Sequence, residues 1–200
     1  MSNIEIVANI QDLVSNLESA IAAQIVLDIE RAKNFQKIAE EIYSILSRGK
    51  FVKPKMSNRK TIAVSENVAT ISGWDSLNIK WKQAIQQSYS MSLEQDESKV
   101  KEYYQNLITE FNRYGYETKV WELDPSSEPG KHYRSHAEKQ VSVIQPDRSI
   151  GVSRGICEDD CYPYFYATAQ IRQQNIMIAD PNGIWVFYSN GQVKFVYNLL

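Results

Sequence analysis

The chain has 200 residues, 43 % of them hydrophobic and 23 % charged, with a formal net charge of −2. That balance suits one globular unit and excludes collagen, a chain-long coiled coil and low-complexity disorder. The charge excludes a generally basic nucleic-acid coat, since residues 1–100 sum to zero and 101–200 carry the −2.

From Ile10 to Leu46, apolar residues recur at spacings of three and four with no Gly or Pro between them, and Gly49 follows. The pattern predicts one very long helix, or two meeting near Val26–Ile29 where the sequence is apolar all round. Such a helix serves packing, partner binding or self-association, a homodimer included. Residues 1–50 are therefore read as an N-terminal helical segment, and 51–200 as the main domain with a helical insertion at about 75–115.

Residues 48–60 carry six positive charges and no acid, which fits either a solvated linker or a phosphate-contacting segment. Short strands are expected at 61–65 and 68–72, joined as a hairpin at Glu66-Asn67. Helices follow at about 76–90 and 93–114, the second opening on Ser92 and Gln95 in capping-box spacing and closing at Gly115. A strand near 116–123 and a Pro/Gly/Ser loop at 124–130 come next. The remaining expectations are a helix at 136–144, a strand at 149–153, a helix at about 159–174, and strands at 175–179, 184–188 and 192–197. Asn190-Gly191 marks the last hairpin. Alternating helices and strands imply an α/β sandwich.

The chain holds two His and two Cys, and all four (His132, His136, Cys157, Cys161) fall between 132 and 161. His136-Ala-Glu138 starts one predicted helix and Cys157-Glu-Asp-Asp-Cys161 starts the next, with one strand between. One imidazole and two thiolates can hold Zn²⁺ in three of four tetrahedral positions and leave the fourth to water. Bound zinc brings that water's pKa near neutrality, and a carboxylate two residues from the His can move its proton to the leaving ammonia. Taken singly, the same residues have plainer readings. Ser135 and Glu138 stand in capping-box spacing, the cysteines suit buried thiols or a redox switch, and one His is commonly structural.

The segment resembles the cytidine-deaminase-like superfamily, whose signature is H-x-E followed by P-C-x-x-C. Arg134-Ser-His-Ala-Glu-Lys-Gln140 and Ile150-Gly-Val-Ser-Arg-Gly-Ile-Cys157 are most similar to the deaminase domains of bacterial polymorphic toxins and their fungal relatives. The resemblance covers roughly residues 60–200. It implies a three-layer sandwich of a mixed sheet with helices on both faces, zinc ligands His136, Cys157 and Cys161, and Glu138 as proton carrier. Its implied activity is hydrolytic deamination of a nucleobase, cytosine before adenine, in single-stranded nucleic acid or a nucleotide. A toxin or effector role would bring an immunity or delivery partner.

Two departures stand out. Ile156 replaces the usual Pro, and three residues rather than two separate the cysteines. Pro163 is tolerated only in a first helical turn. Cys157 is therefore expected in the loop before the helix, with one residue bulged out and Cys161 in or just before the first turn.

Tyr133 and Arg134, in the basic-aromatic stretch before the site, and Ser153 and Arg154, ahead of the cysteines, are candidate substrate contacts. Asp159-Asp160 would repel a phosphate backbone unless turned away. No apolar run reaches the ~20 residues of a membrane span, and the first residues do not read as a signal peptide. Cytoplasmic residence or signal-independent export is the expectation. The readings of a different class are a non-catalytic helical interaction protein with a degenerate or structural zinc site, and the thiol switch.

Overall fold

The unbroken apolar periodicity of the first fifty residues forms a single helix in the computed structural model, α1 (Asn3–Arg48). The structure describes residues 3–49, 52–58, 60–73, 77–117 and 136–197, with side chains from residue 13 onward. Gly49 ends α1 with φ of 57°, a left-handed conformation that glycine adopts without a Cβ penalty. The all-apolar patch is no joint. It is where α1 passes from solvent onto the protein, with Val26 and Leu27 exposed and Asp28 buried one residue later. From there Ala32, Phe35, Ala39, Ile42 and Leu46 are buried at alternating spacings of three and four, so the second half of α1 belongs to the core formed with the rest of the chain.

The hairpin forms as expected from β1 (Ile62–Ser65) and β2 (Val68–Ile71), paired antiparallel with Ser65 opposite Val68. Helix α2 (Ile79–Tyr89) begins behind Asn78, whose side chain accepts the Lys80 N–H. The expected helix at 93–114 needs correction. Ser92–Glu94 form a short strand, β3, parallel to β2, and α3 runs only Glu97–Arg113. Two forces outcompete the Ser92 capping box. Strand β2 offers an open edge, and Leu93 buries its side chain on the α1 side of the sheet. Asp96 then caps α3 by accepting the Lys99 N–H at 2.8 Å. Gly115 follows the helix at φ 76°, as its position suggested. Tyr116 and Glu117 lie in no strand, and the rest of the strand and loop expected at 116–130 falls outside the described residues.

The C-terminal elements follow the sequence reading closely: α4 (Ala137–Ile144), β4 (Ser149–Val152), α5 (Cys161–Ile171), β5 (Ile176–Asp180), β6 (Gly183–Phe187) and β7 (Val193–Tyr197). At the final hairpin Gly191 sits at φ 81°, the positive angle an Asn-Gly turn requires.

The strands make one mixed seven-stranded sheet in the order β3-β2-β1-β4-β5-β6-β7, with β2–β3 and β4–β5 parallel and the other pairs antiparallel. Side chains alternate across it. Ala63, Ile150, Val152, Ile176 and Ile178 pack with α3, α4 and α5, while Ile62, Val64, Met177, Ala179 and Val186 pack toward α1 and α2. The result is a mixed α/β fold with helices on both faces. Among the described residues, no helix is long and apolar enough to cross a membrane.

Candidate metal centre

The N-termini of α4 and α5 converge beside the C-terminal end of β4, because β4 joins the two helices and both pack on the same face of the sheet. His136 is the residue before α4, with extended backbone (φ −62°, ψ 133°) and no side-chain bond to the helix end. The capping-box reading placed the helix start one residue earlier. With His136 there instead, Glu138 falls out of capping register, and its carboxylate is buried against α5.

The contacts bridge the two helix ends. Cys161 Sγ donates to Glu138 Oε1 at 3.0 Å, and His136 Nδ1 lies 3.1 Å from the same sulfur. His136 Nδ1 is also 3.7 Å from Asp160 Oδ2. Cys161 is the first residue of α5, and Glu158–Asp160 form the turn before it. The Tyr162 N–H reaches back to the Cys157 carbonyl at 3.0 Å, so Cys157 sits in the preceding loop and Pro163 in the first helical turn. That is the arrangement expected for the widened cysteine spacing.

Among the described residues, the donor atoms of His136, Asp160 and Cys161 lie within 4.8 Å of one another, a group that could hold a metal ion. Imidazole nitrogen and cysteine sulfur are the donors zinc favours. Cys157 stands outside that group, half-buried in its loop. Asp160 is the member of this group that the sequence did not single out as a ligand. Of the pair expected to repel a phosphate backbone unless turned away, Asp159 is exposed, while Asp160 is turned inward at 1 % exposure. Its carboxylate contacts Lys139 Nζ and accepts the Tyr116 hydroxyl at 3.1 Å. No local signal reveals this, because its partners are 21 and 44 residues away in sequence.

Burial is the main influence on the ionisable groups. It lowers the His136 pKa, with Lys139 adding to the effect and Glu138 and Asp160 opposing it, so the imidazole is held in the neutral form that binds metals. Burial pushes the Cys161 thiol well above its ordinary value, helped by the neighbouring Glu138. Burial, reinforced by Asp160, also raises Cys157, while backbone N–H groups of Cys161 and Asp159 draw it back. A redox switch needs low thiol pKa values. Both cysteines move the other way.

Of the candidate substrate contacts, Tyr133 and Arg134 lie outside the described residues. Ser153 and Arg154 are engaged in holding the fold. Ser153 Oγ accepts the Ile62 N–H at 3.0 Å, closing the end of the β1–β4 pairing. The Arg154 guanidinium donates to the Asn58 carbonyl at 2.9 Å, which anchors part of the basic 48–60 run beside the loop leading to Cys157. Val52 and Met56 in that run are buried, and Trp81 Nε1 donates to the Pro54 carbonyl at 2.9 Å, so residues 52–58 pack as part of the fold.

No protein-family profile matches the chain, and no curated protein is significantly similar to it.

Proposed function

We propose that the chain is a zinc-dependent hydrolytic deaminase of the cytidine-deaminase-like type, acting on a nucleobase, cytosine before adenine, in single-stranded nucleic acid or a nucleotide. The observation that carries this reading is the meeting of His136, Glu138 and Cys161 around one sulfur, across two helix ends separated by a strand. Each residue type has a task there. His136, Cys161 and Cys157 would hold the metal, Cys157 from the loop that precedes α5. Zinc, when bound, supplies Lewis acidity that makes water nucleophilic at neutral pH.

Glu138 is buried to 4 % exposure beside the ligands. Its carboxylate takes a proton from the attacking water and returns it to the leaving amine, so that cytosine and water give uracil and ammonia. The helix N-termini favour negative charge on the sulfurs once they ionise. The six positive charges of residues 48–60 are the feature that favours a phosphate-bearing substrate over a free base. A toxin or effector role, with an immunity or delivery partner, follows from the resemblance alone.

Zinc stoichiometry and ammonia release test the reading together. Wild type should carry close to one zinc per chain, and Cys161→Ala should lose it. Glu138→Gln should keep zinc and fold while ammonia release falls by a factor of about 10² or more. A folded wild type that takes no zinc, or a Glu138→Gln variant with full activity, rejects the mechanism.

A second reading, an interaction protein working through its helix, rests on a different observation. Leu13, Val14, Leu17 and Ile21 stand 48–70 % exposed along the free half of α1. It predicts that the biological effect survives Glu138→Gln and is lost when these four residues are made polar.

A further inference from the structure

One of the three residues between the cysteines has a task of its own. Asp160 immediately precedes Cys161, and its side chain points into the protein between α4, α5 and the end of α3. One carboxylate oxygen meets Lys139 Nζ, and the other accepts the Tyr116 hydroxyl at 3.1 Å. Lys139 in turn donates to the same Tyr116 oxygen at 2.8 Å, which closes a three-membered network. Lys139 is fully buried, and its ammonium stands 5.1–5.7 Å from the ring centres of Tyr104, Tyr116 and Tyr164. Those rings favour the cation electrostatically and fix where it can sit. Lys139 directly follows Glu138, and Asp160 directly precedes Cys161. The network therefore ties the His-x-Glu helix to the cysteine helix at the two positions adjacent to the site.

We propose that Asp160, Lys139 and Tyr116 form a positioning brace that lets the three-residue cysteine spacing present Cys161 to His136 and Glu138. This rests on the metal-site reading above and refines it. Oδ1 is engaged by Tyr116, whereas Oδ2 faces both Lys139 and, at 3.7 Å, His136 Nδ1. The brace assigns that oxygen to Lys139, so that Asp160 positions the site and the third ligand falls to Cys157. The widened spacing is then compensated, because the Asp160 side chain fastens the longer turn to α4.

The test compares Lys139→Met, Asp160→Asn and the double variant in the full chain. Each single variant leaves one buried charge without its partner, which commonly costs several kcal/mol of stability, whereas removing both charges together is often tolerated. The double variant is therefore the decisive protein, and its fold is checked by circular dichroism. Zinc affinity is read by competition with a chromophoric chelator, and the number of bound thiolates by the Co²⁺ charge-transfer spectrum.

The brace predicts that every folded variant loses about 10- to 100-fold in zinc affinity, the usual effect of removing a ligand-orienting partner. It also predicts that wild type shows two thiolates and that Lys139→Arg recovers part of the loss. If Asp160 is instead a ligand, Asp160→Asn loses zinc, Lys139→Met keeps or tightens it, and wild type shows one thiolate. That pattern overturns the proposal, as does a double variant with unchanged affinity.

Hydrogen exchange of the metal-free chain separates this test from the zinc reading. Should wild type take no zinc, the brace still requires faster exchange at residues 157–162 in the double variant, with the rest of α5 unchanged. Equal exchange there refutes it.

Discussion

Two buried aspartates frame the cysteine loop, and each acts through partners that only the fold supplies. Asp160 fastens its C-terminal end. At the other end Asp180, at the close of β5, accepts four N–H groups. Oδ1 takes Asn182 at 2.7 Å and Gly183 at 3.1 Å, while Oδ2 takes Ile156 at 3.2 Å and the Trp185 indole at 3.3 Å. Ile156 directly precedes Cys157, so this one side chain links the β5–β6 turn to the loop that carries Cys157. In Asp180→Asn the amide must turn its NH₂ toward one of the two donor pairs, leaving those N–H groups without an acceptor. The expected cost is about 2–3 kcal/mol, read as a lower urea midpoint at unchanged m-value. A midpoint within error of wild type would show that the two bonds lost contribute nothing. The sequence singled out His136, Glu138 and the cysteines as candidates because those residue types fall at short spacing. It hid Asp160 and Asp180 because an aspartate beside a turn reads the same whether it points into solvent or into the core.

At the scale of elements, the tightest constraint is the seat of α1 on β4. A Cβ added to Gly151 would collide with the backbone of Phe35 and Gln36, so the helix lies directly on the strand where the strand has no side chain. Gly151→Ala forces the two apart and is expected to destabilise the fold by about 1–3 kcal/mol, with Gly151→Val worse, both seen as earlier thermal unfolding. An alanine variant that melts with wild type would mean that α1 shifts freely on the sheet. Helices and strands with strong periodicity were readable from the sequence, and so were the Asn-Gly hairpin and the glycine that ends α1. Strand β3 was not. Three residues carry too little pattern to outweigh a capping signal, and what makes them a strand is the open edge of β2.

For the whole molecule, α1 divides into two halves with different surroundings. Residues 13–24 are exposed or nearly so along every face, whereas Ala32 to Leu46 form part of the core. Removing residues 1–22 is expected to leave stability within about 0.5 kcal/mol of the full chain, the usual range for changes at exposed positions. Denaturant unfolding of the truncated chain checks this. A loss of several kcal/mol would show that the free half supports the fold.

The sequence by itself determined the α/β class, most element positions and the His136 and Cys161 of a group that could hold a metal ion, since periodicity, turn chemistry and residue spacing are local properties. Only the tertiary structure decided that α1 is one helix lying on the sheet, that Ser153 and Arg154 serve the fold, and that Asp160 is buried against Lys139. Those outcomes depend on which surfaces remain open once the sheet has formed, and on buried charges finding partners far away in the chain. Local sequence carries no record of either.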